Sequence, residues 1–369
     1  EQLLSRKLDV ILDPRTQAAA TPGGFTESLS ELPWGGAAMH TLERFQGQEA
    51  HRRVSAIADF AVDNGYTQVI APTHLLANAT DPWLSTDVSN LRLLRQELDR
   101  RSKGADIPII YSLALPYASF RSIEARSRII HALSGEPIDA LWLKVDGIGA
   151  SCTSTALLNY LEATQDFQEI GAPVIADHIG GLVGLSLLAL GACGGLAQGI
   201  GVAERFDASS WRRVRSGEVW STTRVYVPML DTHLTVAQAD QLLNRSNQTK
   251  GWFGCRDTRC CPKGVGDTLA NPHRHLMHHR TQQVAGLAGI PGTLRPQHFY
   301  DNYVRPASDA AFRATSVDWP DEALSKKLGK ERKRIDQLRR MLEDQIQQNK
   351  RILAKIQLPK TRAAREARP

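Results

Sequence analysis

Short apolar runs alternate with segments of helical periodicity over the first two thirds of the chain. Buried parallel strands have this continuous apolar character, and the crossovers between them require helices. The alternation therefore predicts parallel strands with helices packed around them. The predicted strands begin at Leu8, Thr67, Ile107, Ala140, Ala172, Gly195, Arg224 and Trp252.

Eight strands alternating with helices are typical of a (β/α)8 barrel, which needs about 250 residues. We therefore predict an α/β fold of the TIM-barrel type over residues 1–254. An open doubly wound sheet is the alternative, but no Gly-x-Gly-x-x-Gly follows the first strand.

Residues 15–34 interrupt the alternation. They are rich in Gly, Thr, Ser and Pro, and we expect a long loop over a site.

A cysteine cluster follows the last predicted strand, with Cys255, Cys260 and Cys261 within seven residues. Thiolate and imidazole are the ligands that zinc prefers, and zinc can fix a segment that has little apolar surface. The nearby histidines are His273, His275, His278, His279 and His298.

We predict a structural zinc site formed by Cys255, Cys260, Cys261 and His298, with His279 as the alternative fourth ligand. Adjacent cysteines can share one ion only where the backbone turns sharply, and Pro262 and Gly264 allow such a turn. The alternative interpretation is a group of buried thiols beside surface histidines. The zinc-binding subdomain would cover residues 255–319.

The order of these residues resembles the tRNA-guanine transglycosylase family. That family has a cysteine cluster, a helix with a His-His pair, and a zinc-binding His before an aromatic helix. The corresponding residues here are Cys255, Cys260 and Cys261, then His278 and His279, then His298, Phe299, Tyr300 and Tyr303.

Two further segments resemble the same family. Ile179-Gly180-Gly181-Leu182 is similar to its guanine-recognition loop, and residues 68–76 are similar to a strand that ends in Thr-Tyr-His-Leu. The chain departs from the family at residues 21–25, where the active-site acid is missing, and it has no Phe-Asp-Cys-Val segment. The resemblance implies a barrel, a structural zinc and exchange of a purine base.

Polar residues follow the apolar strands, where barrel enzymes have their active sites. Asp146 and Asp177 are the predicted catalytic acids, because a carboxylate there can attack a sugar carbon or transfer a proton. The predicted substrate-binding residues are Lys144, His178 and Gln198. The structural alternative is that Lys144 and Asp146 form an ion pair inside the barrel while His178 packs.

The resemblance adds a role for the glycine loop. It implies that Gly180, Gly181 and Leu182 bind the substrate by presenting backbone amides to a purine edge.

Positive charge is concentrated at the end of the chain. Residues 325–369 carry fifteen Lys or Arg against five acids, a balance of +10, and the whole chain carries +6, which leaves −4 for residues 1–324. Residues 320–369 are predicted to form a long amphipathic basic helix, ended by Pro359, and a disordered tail. Such a segment suits nucleic-acid phosphates or a protein partner.

The resemblance implies a transglycosylase-like glycosyltransferase that exchanges a purine base at a ribose or deoxyribose of tRNA or DNA. The alternatives are a non-catalytic nucleic-acid-binding subunit of a larger assembly and a small-molecule barrel enzyme. Because the five cysteines form no disulfide framework and no apolar run could span a bilayer, we expect a cytoplasmic protein without a membrane partner.

Overall fold

The structure is a computed structural model that describes residues 8–199, 204–214 and 223–357 of the chain. The chain divides into two compact units, Glu1–Ser221 and Thr222–Pro369. The second unit therefore begins before the predicted domain boundary at residue 254. The cysteine cluster and the long C-terminal helix share this unit.

Six parallel strands form a curled half-barrel sheet in the first unit, and each strand pairs with the next one along the chain. The first six predicted strands are thereby confirmed. They are β1 (Ile11–Leu12), β2 (Gln68–Ile70), β3 (Ile109–Pro116), β4 (Ala140–Asp146), β5 (Val174–Asp177) and β6 (Gly195–Ala197).

Strands β3 and β4 form the longest pairing in this sheet. Every residue of β3 from Ile109 to Leu115 is buried, as expected for an apolar strand covered on both faces. The register places Ala114 opposite Lys144 and Pro116 opposite Asp146. The carboxyl ends of β3 and β4 therefore bring polar side chains of β4 to one edge of the sheet.

Most helices of the first unit bury apolar side chains, and several have side-chain caps. Asp81 accepts a hydrogen bond from the Trp83 amide and Thr153 accepts one from Ala156. The helices are α1 (Thr16–Ala19), α2 (Glu27–Ser30), α3 (Gly47–Asp63), α4 (Pro82–Asp99), α5 (Tyr117–Arg121), α6 (Ile123–Leu133), α7 (Ser154–Phe167), α8 (Gly181–Ala189) and α9 (Ser209–Arg212).

The segment 15–34 is more ordered than the predicted loop, because it contains α1 and α2. Thr16 Oγ1 donates to the Thr73 carbonyl at 2.7 Å, which holds α1 against the residues that follow β2. The buried indole of Trp34 donates to the Pro14 carbonyl at 2.8 Å. This segment is thus held in place by buried hydrogen bonds.

The closed eight-stranded barrel is not confirmed. The predicted seventh strand exists as β7 (Arg224–Val227), but it pairs antiparallel with β8 (Thr232–Thr235) in a separate two-stranded sheet. The predicted eighth strand at Trp252 is the end of a helix. That helix begins with a capping box in which Ser246 and Thr249 bond each other's backbone amides.

The rest of the second unit is helical. Its helices are α10 (Val236–Asn244), α11 (Asn247–Phe253), α12 (Val265–Ala270), α13 (Pro272–Ala288), α14 (Arg295–Phe299), α15 (Arg305–Thr315) and α16 (Glu322–Gln357). Within the described part of the chain, no helix combines the length and the hydropathy that crossing a membrane requires.

Helix α16 confirms the predicted amphipathic helix. Its apolar side chains recur at steps of three, four and seven residues and are buried in the second unit, namely Leu324, Leu328, Ile335, Leu338, Leu342 and Ile346. The predicted end at Pro359 and the predicted disorder of residues 361–369 lie outside the described residues.

Candidate functional site

Three cysteines and one histidine of the second unit meet in a compact group. One potential ligand atom from each of Cys255, Cys260, Cys261 and His275 lies within 4.8 Å of all the others. The Sγ atoms of Cys260 and Cys261 are 3.6 Å apart, and His275 Nδ1 is 3.3 Å from the first and 3.4 Å from the second. This group, the thiol cluster, can hold a metal ion.

A sharp turn brings the adjacent thiols to the same side. The carbonyl of Asp257 accepts the amides of both Cys260 and Cys261, at 3.1 and 2.8 Å. The chain then reverses at Gly264, whose φ of +66° lies in the left-handed region that favours glycine. The turn predicted for this segment is therefore present.

His275 is oriented as a metal-ligating histidine would be. Its Nε2 lies 3.1 Å from the Tyr226 carbonyl and donates a proton to it, which leaves the lone pair of Nδ1 directed at the thiols. A histidine that binds a metal through one ring nitrogen usually donates through the other in this way. Tyr226 belongs to β7, so the hairpin fixes the imidazole.

His275 takes the place that was predicted for His298. His298 lies instead beside Asn302 and Tyr303, with its Nδ1 3.3 Å from Asn302 Nδ2. The alternative ligand, His279, has its Nε2 3.3 Å from Cys255 Sγ and flanks the cluster. The missed signal was the spacing of His275 and His279, because residues four apart share one face of a helix.

The electrostatics of the thiol cluster favour a cation. Burial raises the pKa of the Cys255 and Cys260 thiols, and repulsion between neighbouring thiols raises these pKa values further. Burial lowers the pKa of His275 and of His279 to about 4 in each case, so both imidazoles are neutral at pH 7. Neutral imidazole is the form that binds metals, and a bound cation would stabilise the thiolates.

A second group of polar residues lies at the carboxyl ends of the strands in the first unit. The Asp177 carboxylate is 5% exposed, with Oδ2 3.5 Å from Lys144 Nζ and Oδ1 2.8 Å from His178 Nδ1. The contact with His178 is close but is not aligned as a hydrogen bond. Lys144 thus pairs with Asp177, and the predicted alternative pairing with Asp146 is not formed.

His178 has an unusual backbone conformation for a residue other than glycine. Its φ is +58°, while its amide continues the strand pairing by donating to the Ala197 carbonyl at 2.8 Å. A non-glycine residue in this region is uncommon and often marks a functional site. The conformation turns the chain sharply after β5 and brings the imidazole back to Asp177.

Gln17 connects this site to the neighbouring strands, and sequence reasoning missed it. Its Oε1 accepts a hydrogen bond from Lys144 Nζ at 3.1 Å, and its Nε2 donates to the Ser112 carbonyl at 2.8 Å and to Thr73 Oγ1 at 3.1 Å. Gln17 lies in the segment that was predicted to be a loop over a site. That position was the available signal, but no spacing singled out this residue.

Gly180 lies against two polar side chains. A Cβ added at Gly180 would be 2.2 Å from Glu204 Oε1 and 2.6 Å from Gln198 Oε1, so a larger residue could not fit without displacing them. Gln198 Oε1 is buried and accepts no hydrogen bond from the described residues. Gly181 has a φ of +64° and, with the buried Leu182, begins α8.

Asp146 is bound differently from Asp177. Its Oδ1 accepts the Ala208 amide at 2.8 Å, and its Oδ2 is 3.7 Å from Arg212 in α9. Its side chain is 20% exposed. Asp146 therefore holds the segment 206–212 at the end of β4.

Comparison of the chain with protein-family models, with curated proteins and with solved structures finds no match. The thiol cluster and the polar residues around Asp177 are therefore the candidate functional sites of the chain.

Proposed function

We propose that the first unit exchanges a purine base at the sugar of a nucleic acid. The observation that supports this proposal is the Asp177 carboxylate, which is buried at the end of β5 between Lys144 and His178. It immediately precedes the Gly180-Gly181 turn, whose similarity to a guanine-recognition loop first suggested the reaction. Buried acids with charged partners at strand ends are typical of catalytic sites.

The acceptors beside Gly180 suit a purine. Gln198 Oε1 and the Glu204 carboxylate both face this glycine, and Glu204 is 4% exposed. The Watson–Crick edge of guanine presents N–H donors that match such acceptors. If a base bound there, its attached sugar would lie near Asp177 at the carboxyl end of the sheet.

In the proposed reaction, an Asp177 oxygen attacks the sugar C1′ and the bond from C1′ to the purine N9 breaks. The electron pair of that bond leaves with the purine, which takes up a proton. An incoming base then attacks C1′ through its own nitrogen and loses a proton, and the ester bond to Asp177 breaks. The carboxylate is restored, and Lys144 compensates its charge in the free enzyme.

We also propose that the metal of the thiol cluster is zinc and that it is structural. A tetrahedron with Zn–S bonds of about 2.3 Å has S–S edges of about 3.8 Å, and the Cys260 to Cys261 distance is 3.6 Å. Four protein ligands leave no position open for substrate, so this ion would stabilise the second unit and take no part in catalysis.

Helix α16 offers a surface for phosphates. Lys326, Lys330, Lys333 and Arg340 are exposed and recur at steps of four, three and seven residues, which places them on one face of the helix. We name these four residues the basic stripe. Two other cations of α16 are engaged within the unit, because Arg334 pairs with Asp231 and Lys327 donates to the His233 carbonyl.

The test is a base-exchange assay that follows incorporation of radiolabelled guanine into tRNA and into duplex DNA. Asp177→Asn should lower the rate by about 100-fold or more, because it removes the attacking group and keeps the size of the side chain. Glu124→Gln changes an exposed carboxylate on α6 and should retain the wild-type rate. An Asp177→Asn variant as active as wild type would exclude Asp177 as the nucleophile.

One observation favours a non-catalytic role as the second candidate. The charge of Asp177 is already compensated by Lys144, and both side chains are buried, which also describes a structural ion pair. A subunit of this kind would bind tRNA or DNA through the basic stripe and show no exchange. Substituting Gln at all four stripe positions should then weaken binding strongly at low salt, with less effect as salt is raised.

A further inference from the structure

A cavity of about 420 Å³ opens in the second unit beside the thiol cluster. We name it the Trp252 pocket. Its walls include the aromatic side chains Trp252 and Phe253, the cations Arg256 and Arg313, and the polar residues Asp257 and His279. A cavity of this volume is within the range of small-molecule sites, which combine apolar walls with a few polar groups.

Arg313 is the side chain that most clearly points to a ligand. Its Nε is buried and has no hydrogen-bond partner within residues 8–199, 204–214 and 223–357. Buried donors of this kind are almost always paired in folded proteins, so an unpaired one indicates a group that binds there. A guanidinium binds phosphate through its N–H groups.

Trp252 adds an aromatic surface next to this cation. The guanidinium carbon of Arg313 is 5.9 Å from the centroid of the Trp252 ring. A phosphate held by Arg313 would therefore bring any attached aromatic group within reach of the indole. Stacking on an aromatic side chain is a sequence-tolerant way to bind a nucleobase.

The charge balance of the pocket favours an anion. Arg256 and Arg313 supply two positive charges, and Asp257 is the acidic side chain in the wall. Asp257 is already engaged by Arg259, at 3.3 Å, and by His278, at 2.7 Å. Its charge is thus compensated from outside the pocket. Arg256 donates to the Gly251 carbonyl through one Nη and keeps its positive charge, so the net charge of the wall still attracts a phosphate.

We propose that the Trp252 pocket binds a nucleotide, with the phosphate on Arg313 and Arg256 and the base against Trp252. The nucleotide can be a free mononucleotide or one unit of a single strand, because the recognising chemistry is the same. This site does not depend on the base exchange proposed for the first unit. It gives the second unit a binding role in addition to its metal.

The test is calorimetric titration of the full-length, metal-loaded protein with adenosine monophosphate, inorganic phosphate and adenosine. The mononucleotide should bind saturably and more tightly than either part alone. Arg313→Gln should weaken its binding by about 10-fold or more, because the bidentate contact is lost. Arg313→Lys keeps the positive charge but lacks the two parallel N–H groups of a guanidinium. Its affinity for the mononucleotide should therefore lie between those of wild type and Arg313→Gln.

Trp252→Leu tests the contact with the base separately from the contact with the phosphate. It should weaken binding of the mononucleotide by about 10-fold and leave the affinity for inorganic phosphate unchanged. Asp177→Asn should leave mononucleotide binding by the second unit intact, so failure of the base-exchange proposal and failure of this one can be distinguished. Tighter binding of a short single-stranded oligonucleotide than of the mononucleotide would identify a strand as the source.

Two outcomes would overturn the proposal. One is the absence of mononucleotide binding at millimolar concentration in the metal-loaded protein. The other is equal affinity of wild type, Arg313→Lys and Trp252→Leu, each with the circular dichroism spectrum of the wild type.

Discussion

His40 is a buried histidine whose two ring nitrogens have no hydrogen-bond partner among the residues that the structure describes. It is 5% exposed, and its ring packs against Phe45 with centroids 5.0 Å apart. Burial, followed by electrostatic interactions with His74, Arg53 and Arg44, lowers the pKa of His40 to about 3. His40 therefore stays neutral in the folded protein at any pH above that value.

This shift predicts that acid destabilises the first unit. The unfolded chain binds a proton at His40 below about pH 6.5, whereas the folded chain does not until about pH 3. The free energy of unfolding should thus fall as the pH is lowered through this window, and His40 alone should contribute a loss of about 2 kcal/mol between pH 7 and pH 5.

The measurement is urea unfolding of wild type and His40→Gln at pH 7 and pH 5. The variant should lose about 2 kcal/mol less than wild type over this interval, because its side chain does not titrate. Phe45→Leu alters packing around the same ring and should keep the wild-type pH dependence. Identical pH dependence in wild type and His40→Gln would show that His40 is protonated when folded.

Single residues also show where sequence reasoning reached its limit. The three cysteines of the thiol cluster could be predicted, because ligand type is visible in the sequence. The sequence could not show which of the five histidines joins the cysteines. His275 is distinguished only by the β7 carbonyl that accepts a hydrogen bond from its Nε2. Gln17 became part of a site only through contacts with Ser112 and Lys144, which are distant in sequence.

Among the elements, α16 is held to the second unit by a buried charge network. The Asp231 side chain is 1% exposed, with its carboxylate 3.1 Å from Arg334 of α16 and 3.4 Å from Arg280 of α13. Tyr226 donates to the same carboxylate at 3.2 Å. Asp231 also has a φ of +44° in the turn between β7 and β8. One carboxylate thus joins a hairpin and two helices.

Asp231→Asn should therefore destabilise the second unit by about 3–5 kcal/mol, because it removes the carboxylate that pairs with the buried Arg280, whereas Arg334 keeps Glu331 at 2.7 Å. Asparagine tolerates the left-handed backbone, so the change tests the charge and not the turn. Asp301→Asn removes an exposed pair with Arg305 and should cost less than about 1 kcal/mol.

Guanidinium unfolding followed by far-ultraviolet circular dichroism measures both variants of this network. Equal stability of Asp231→Asn and Asp301→Asn would mean that the network contributes nothing beyond an exposed pair.

The elements of the first unit could largely be predicted, and those of the second could not. Strands β1 to β6 are apolar runs followed by helices, and this local pattern is sufficient to identify a parallel sheet. The hairpin of β7 and β8 depends on a turn through Asp231, which no glycine marks. Trp252 belongs to a helix instead of the predicted strand, because a capping box of Ser246 and Thr249 starts a helix just before it.

For the whole molecule, the two units should respond differently to loss of metal. The thiol cluster lies entirely in the second unit, at residues 255–275. An ion that binds only the folded form stabilises it by about 2.7 kcal/mol when its free concentration is 100 times the dissociation constant. A chelator should therefore lower the thermal transition of the second unit and leave that of the first unit unchanged.

Differential scanning calorimetry with and without 1,10-phenanthroline, combined with metal analysis, measures this effect. Cys260→Ser should purify with less metal and unfold at the same lowered temperature whether or not the chelator is present. Cys152→Ser changes a cysteine of the first unit that forms no disulfide and should respond to the chelator as wild type does. The zinc proposal would be contradicted if the purified wild-type protein contained no metal and its thermal transitions did not change with the chelator.

Tyr226 has consequences beyond its own strand. Its carbonyl orients His275, its hydroxyl bonds Asp231, and its ring lies 4.2 Å from the guanidinium carbon of Arg280. Asp231 in turn anchors Arg334 near the middle of α16. One tyrosine thus connects the thiols, through its carbonyl and His275, with the carboxylate that holds α16, so a substitution that displaces β7 would disturb both places.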